Sequence, residues 1–235
     1  MPDLLLTVSS VRKETPSTRV VRADLGGRRF AYGAGQSARI GPPEAETRVP
    51  YSIASAPEDT ARDGRLEFLI KVHDDGLWGE GFEVPHRGTP LTVRGPEGRF
   101  VLPDTVEEAR LLFIAGGTGI APLRAMIRQA LATLQPRPHM RLLYSARTPA
   151  DFAYGAELRA MARRGQIELT LTATRESSAR WRGGRGRIAA DQLAPLVDDP
   201  ATLCFVCGPA AMVDDVPAVL RRLGIPLSRI RLEEW

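Results

Sequence analysis

Two domains, an antiparallel β-barrel followed by an α/β domain with a parallel sheet, are predicted by three features of the sequence. At 235 residues the chain exceeds one average domain. Up to Leu102 it holds only short apolar or alternating runs broken by Gly, Pro and Asp, the pattern of an antiparallel barrel. From Arg110 onward strand-like and helix-like segments alternate, which implies βαβ units. The boundary is placed within 103–109, giving domains of residues 1–105 and 106–235.

The barrel strands are read at LLLTVSSV, TRVVRADL, ARI, YSIAS, LEFLIKV and LTVRG. The Gly-rich segment from Asp74 to Gly88 reads as an irregular working loop. In the second half RLLFIA is a buried strand, a Gly-rich turn follows, and APLRAMIRQALATL carries helical spacing. MRLLYSA, IELTLTAT and ATLCFVCG are further strands, and DFAYGAELRAMARRG is an amphipathic helix between the first two. PAAMVDDVPAVLRRLG is a helix ending on Gly224, and RIRLEEW closes the chain as a short strand.

Composition narrows the function classes. Apolar residues make up 43% and charged residues 26%, ordinary for a globular protein, and no run of eighteen apolar residues suggests a membrane span. The start lacks the basic region of a signal peptide, so a cytoplasmic location is expected. Net charge is +4, carried almost wholly by arginine, since only Lys13 and Lys71 are lysines. Arginine forks suit phosphates and carboxylates, which points to an anionic cofactor or an acidic protein partner. The arginines are scattered and no aromatic residues interleave with them, which argues against nucleic acid. The two cysteines, Cys204 and Cys207, have CxxC spacing but lie in a strand, where residues three apart point to opposite faces. No second cysteine pair completes a metal site, and no metal is expected.

Chemistry concentrates at Gly116-Gly117-Thr118-Gly119-Ile120-Ala121-Pro122, between a buried strand and a helix. Glycines there permit positive φ and close approach of a ligand, and the helix N-terminus offers unpaired N–H groups to a phosphate. This turn resembles the GGTGIAP segment of the ferredoxin–NADP reductase family. Arg48-Val49-Pro50-Tyr51-Ser52-Ile53-Ala54-Ser55 resembles that family's flavin motif, and Cys207-Gly208-Pro209 with Met212 resembles its CGPxxM motif.

The resemblance implies a flavin-dependent oxidoreductase with FAD on the barrel and NADPH or NADH on the α/β domain. Arg48, Tyr51, Ser52 and Ile53 are then expected at the flavin, with Ser52 catalytic through a hydrogen bond to the ring. Tyr51 offers a ring to stack and a hydroxyl for the ribityl chain. Ile70, Lys71 and Val72 resemble the second flavin strand, and Gly76, Leu77, Trp78 and Gly79 the turn under the diphosphate. Gly117, Thr118 and Gly119 lie under the dinucleotide, and Cys207, Gly208, Pro209 and Met212 beneath the nicotinamide. Cys207 precedes a helix start, a setting expected to lower its thiol pKa. Trp235 is expected against the flavin, and Glu233 or Glu234 as a proton relay.

The chain departs from the family pattern twice. The arginine expected two residues before the tyrosine is Val49, so Arg48 reaches the flavin phosphate only if a bulge restores its face. The fourth position of the GxxS/T turn is Gly79, without a hydroxyl, leaving backbone N–H groups as phosphate ligands and FMN as the alternative to FAD. Arg147 and Arg175 follow the second and third strands of the α/β domain, where the family binds the 2′-phosphate, which favours NADPH. Arg180, Arg182, Arg185 and Arg187 crowd the next loop. The expected function is hydride transfer between NADPH and FAD, with single electrons passed to a ferredoxin-, flavodoxin- or oxygenase-type partner. The alternative is a flavin-binding electron-transfer subunit of a larger complex with little nicotinamide turnover of its own.

Overall fold

A computed structural model describes residues 3–234. The chain divides into two compact units, the first running to Leu102 and also taking in Arg124–Ala132, the second comprising Pro103–Leu123 and the chain from Thr133 onward. The separation after Leu102 lies where the composition changes. The helical segment Arg124–Ala132, which the sequence reading assigned to the α/β domain, groups with the barrel instead.

The first unit contains β1 (Leu4–Thr15), β2 (Thr18–Asp24), β3 (Ser37–Gly41), β4 (Val49–Ser52), α1 (Pro57–Asp63), β5 (Arg65–Lys71), β6 (Leu77–Trp78), β7 (Phe82–Glu83) and β8 (Pro90–Glu97). Six strands form one antiparallel sheet in the order β4-β3-β8-β1-β2-β5. A bridge between Ile53 and Phe68 joins its two ends and closes the barrel. Period-two alternation sends Leu6 and Val8, Val21 and Ala23, Leu66, Phe68 and Ile70, and Leu91 and Val93 inward to one core.

In β5 the outward-facing Glu67 and Leu69 are buried as well. The segment Arg124–Ala132 accounts for this at Glu67, where Arg124 reaches the carboxylate, and seats its Gln129 carbonyl against the Ala34 N–H. A side chain on Gly35 would meet the Phe100 carbonyl at 2.3 Å, so glycine is required where this segment crosses. The loop read as irregular holds a small hairpin, β6 with β7, and α1 is a short helix that the sequence reading passed over.

The second unit contains β9 (Arg110–Gly116), β10 (His139–Ala146), α3 (Gly155–Arg163), β11 (Glu168–Ala173), β12 (Gly184–Arg185), α4 (Ala190–Leu193), β13 (Leu203–Gly208), α5 (Ala210–Arg222) and β14 (Ile230–Glu234). Helix α2 (Ile120–Thr133) starts in this unit and continues into the first. The six strands form a parallel sheet in the order β12-β11-β10-β9-β13-β14. The central strands β9 and β13 are apolar almost throughout because both faces are covered. Helix α3 begins at Gly155, later than its amphipathic pattern suggested, because Tyr154 adopts a left-handed φ of 56° that breaks the preceding turn. Among the described residues no helix is long and apolar enough to cross a membrane.

Candidate functional site

The flavin-motif residues lie on β4, which pairs with β3 through Ser37↔Ser52, Ala38↔Tyr51, Arg39↔Pro50 and Ile40↔Val49. Immediately beyond it the backbone is clamped. Ile53 donates to the Gln36 carbonyl at 2.9 Å, Ala54 donates to the Glu67 carbonyl at 2.7 Å, and the Arg124 guanidinium donates to the Ala54 carbonyl at 2.7 Å. Arg124 also pairs with Glu67 at 2.9 Å, and Arg22 holds the other carboxylate oxygen at 2.7 Å. Ser55 adds a hydroxyl network with Tyr32 and Thr60. Tyr51 and Ser52 are half-buried at the end of this clamped strand.

The Tyr51 hydroxyl faces the backbone N–H groups of Lys71 and Gly79, while burial raises its pKa above the ordinary tyrosine value. It therefore stays protonated at neutral pH and keeps a proton to donate. Its ring packs against Trp78, centroids 5.7 Å apart, and Trp78 packs in turn on Phe82 at 5.4 Å. Ile53, Ile70 and Trp78 are core residues of the barrel and Val72 is buried, so these four present only backbone to a ligand. Lys71 is half-buried at the end of β5.

Arg48 lies just ahead of the β3–β4 ladder, which begins at Val49; one nitrogen of its guanidinium bonds Asp3 at 2.9 Å, and its Nε is buried without a hydrogen-bond partner among the described residues. The turn at Gly76–Gly79 is also already engaged: Gly76 donates to the His73 carbonyl at 3.0 Å and Leu77 to the Asp75 carboxylate at 2.9 Å. Two of the backbone N–H groups of this turn are therefore already partnered within the unit.

The second unit assembles the other motifs. Strands β9 and β13 are direct neighbours, so the turn after β9 and the Cys207-Gly208-Pro209 segment after β13 meet at the carboxyl ends of the sheet. Gly117 has a φ of 54°, and Gly117–Gly119 form a tight turn leading into α2. A side chain on Gly119 would lie 2.3 Å from the Cys207 carbonyl oxygen, and one on Gly208 would lie 2.3 Å from the Met212 methyl. Close packing between the two segments, rather than a ligand, fixes these two glycines. Gly119→Ala is expected to destabilise the protein by about 1–3 kcal/mol, because the clash is with backbone that cannot swing away. An unchanged thermal midpoint for that variant would contradict the packing.

Neither α2 nor α5 carries a carboxylate in its first turn, so both N-termini remain favourable to an anion. Tyr144, which the sequence reading passed over, donates to the Gly117 carbonyl at 2.9 Å and accepts from the Ala153 N–H at 3.1 Å. Phe152 packs edge-on against Tyr144, and Trp181 stacks on Phe152 at 5.7 Å and 15°. An aromatic row thus ties the turn to the arginine-rich loop; its signal in sequence was only three aromatics scattered across three segments.

Arg147 and Arg175 sit side by side after adjacent strands, the Arg175 N–H donating to the Arg147 carbonyl at 2.8 Å. Both are exposed, and neither forms an ion pair among the described residues. Arg22, Arg39, Arg48, Arg94, Arg110, Arg124, Arg128, Arg141 and Arg229 pair with carboxylates, whereas Arg147 and Arg175, like Arg180, Arg182 and Arg187, do not among the described residues. Arg185 braces its own loop by donating to the Ser178 carbonyl at 2.7 Å.

Cys207 corrects one expectation. Its thiol is fully buried, and burial together with the neighbouring Glu233 pushes its pKa well up, not down. The helix start cannot offset desolvation of a thiolate placed 3.9 Å from a carboxylate. Cys207 is therefore a neutral packing group, and of the two terminal glutamates Glu233 is the one against it. Trp235 lies outside the described residues.

The Oxidoreductase NAD-binding domain family matches residues 113–217. Ferredoxin–NADP reductase B of Sorangium cellulosum is 36% identical over 96% of this chain and 95% of its own length. The structure superimposes on the cytochrome P450 reductase GcoB of Amycolatopsis with a TM-score of 0.85 and 28% identity, covering 99% of this chain and 69% of that one. A ferredoxin NADP+ reductase of Neisseria gonorrhoeae, solved with bound FAD and NADP, shares the fold at a TM-score of 0.81 and 19% identity, covering 100% of this chain and 99% of that one. A clamped tyrosine–serine strand on a barrel, paired with a glycine turn packed onto a CGP segment in a parallel sheet and matched end to end by such a relative, places the chain in the ferredoxin–NADP reductase family of flavoprotein oxidoreductases.

Proposed function

We propose that this chain transfers hydride between NADPH and a bound flavin, and hands single electrons to a separate ferredoxin, flavodoxin or oxygenase component. The observation that carries the reading is the backbone packing of the Gly117–Gly119 turn onto Cys207 and Gly208, which builds a dinucleotide platform at the carboxyl ends of β9 and β13. When bound, the flavin supplies the exchange between a two-electron donor and a one-electron acceptor. The residues supply orientation. Ser52 offers a hydroxyl at a strand end held by the Gln36, Glu67 and Arg124 bonds, and Tyr51 a neutral phenol beside it. The heads of α2 and α5, neither with a carboxylate in its first turn, favour the dinucleotide phosphates. The exposed pair Arg147 and Arg175 supports NADPH over NADH. A ferredoxin partner is supported by the name of the Sorangium relative, and a cytochrome P450 as acceptor by that of the Amycolatopsis one.

Ser52→Ala tests the reading. The account predicts a rate of flavin reduction lowered on the order of tenfold or more, as for one lost hydrogen bond, with flavin affinity nearly unchanged. A reduction rate equal to that of the unaltered protein would remove Ser52 from the reaction.

A further inference from the structure

We infer that this chain recognises a flavin by its ring and ribityl end alone, so that FAD, FMN and riboflavin are bound alike. The inference rests on the flavin reading above and concerns how the barrel unit discriminates among flavins. A diphosphate needs cations, hydroxyls or free backbone N–H groups, and near Tyr51 most of these are already committed or replaced, the buried Arg48 Nε being the cationic nitrogen left without a hydrogen-bond partner.

The cations come first. The position two residues before Tyr51, on the same face of β4, is Val49, an aliphatic side chain lying against Gly79. Arg48 is bonded to Asp3, and Arg39 to Glu97 at 3.1 Å. Between His73 and Glu80 the sequence HDDGLWGE contains Asp74, Asp75 and Glu80 and no lysine or arginine. This turn repels a phosphate rather than attracting one.

Donors are equally scarce. Gly76 donates to the His73 carbonyl, Leu77 to the Asp75 side chain, and the Gly79 N–H faces the Tyr51 hydroxyl. Three of the four backbone N–H groups of the Gly76–Gly79 turn are thus occupied inside the protein. Gly79 itself brings no hydroxyl, and its φ of 58° with Val49 2.8 Å from an added Cβ leaves no room for a serine there. The hydroxyl of Thr47, the nearest on the approach to β4, donates to Glu80 at 2.5 Å. The region that flanks Tyr51 is instead apolar, made by Val49, Trp78 and Phe82.

The test is equilibrium dialysis of the full chain against FAD, FMN and riboflavin separately, with Val49→Arg and Asp75→Asn as gain-of-function variants. The expected result is three dissociation constants within about threefold of one another. Each charge-assisted contact restored would shift the balance by on the order of tenfold. Val49→Arg, which puts a cation on the Tyr51 face, and Asp75→Asn, which removes a carboxylate from the turn, are each expected to tighten FAD relative to riboflavin. FAD bound about thirtyfold or more tighter than riboflavin by the unaltered chain would overturn the inference and leave the flavin reading intact, at about 1.4 kcal/mol per decade. Binding of none of the three would overturn both.

Discussion

Arg124→Met is expected to lower the unfolding free energy of the protein by about 3–5 kcal/mol, the cost of removing one member of a buried ion pair. Arg124 and Glu67 are both almost fully buried, with side chains 8% and 6% exposed. Two penalties combine in that variant. Glu67 loses its buried partner while keeping the half-exposed Arg22, and the Ala54 carbonyl loses its 2.7 Å donor. Urea denaturation should show a lower midpoint at an unchanged slope. Adding Glu67→Leu to the same variant is expected to recover much of the loss, because two apolar side chains no longer bury a charge. A single-variant loss below about 1 kcal/mol would mean the pair is far better solvated than its burial implies. Because the clamp fixes the strand that carries Tyr51 and Ser52, the same change is expected to loosen flavin binding in protein that still folds.

Replacing Arg147 and Arg175 together by alanine is expected to erase the preference for NADPH. Charge-assisted hydrogen bonds are worth about 1.5–3 kcal/mol each, so two of them amount to a hundredfold or more in the kcat/KM ratio of NADPH to NADH. NADH turnover should be unchanged, since the pair is proposed to meet only the group that distinguishes the two nucleotides. High salt should shrink the ratio in the unaltered protein, because both guanidinium groups are exposed. A ratio that the double variant leaves in place would move recognition to Arg180, Arg182 or Arg187 of the neighbouring loop.

Much of this was legible in the residues. The change from broken apolar runs to strand–helix alternation marks the separation after Leu102, and period-two burial in β1, β2, β5 and β8 follows from their spacing. The three motif segments fall on the barrel strand β4, in the turn after β9 and at the end of β13. Other features depend on long-range packing that no local pattern encodes. Arg124 looked like any polar residue in an amphipathic helix until Glu67, 57 positions away, was found to be its partner. Phe152 and Trp181 gave no periodic signal because they act across two loops. The Arg48–Asp3 bond joins positions 45 residues apart, which no local pattern encodes. Cys207 was misread for a related reason. The helix start is visible in sequence, but the depth of β13 and its pairing with Glu233 on β14, which dominate the thiol, are not.

The central claim, hydride exchange between NADPH and a protein-held flavin, is tested most directly by anaerobic titration of flavin-loaded protein with NADPH and then NADH, following the long-wavelength flavin absorbance. The account predicts bleaching by NADPH at far lower concentration than by NADH. A flavin-loaded protein that neither nucleotide bleaches would contradict it.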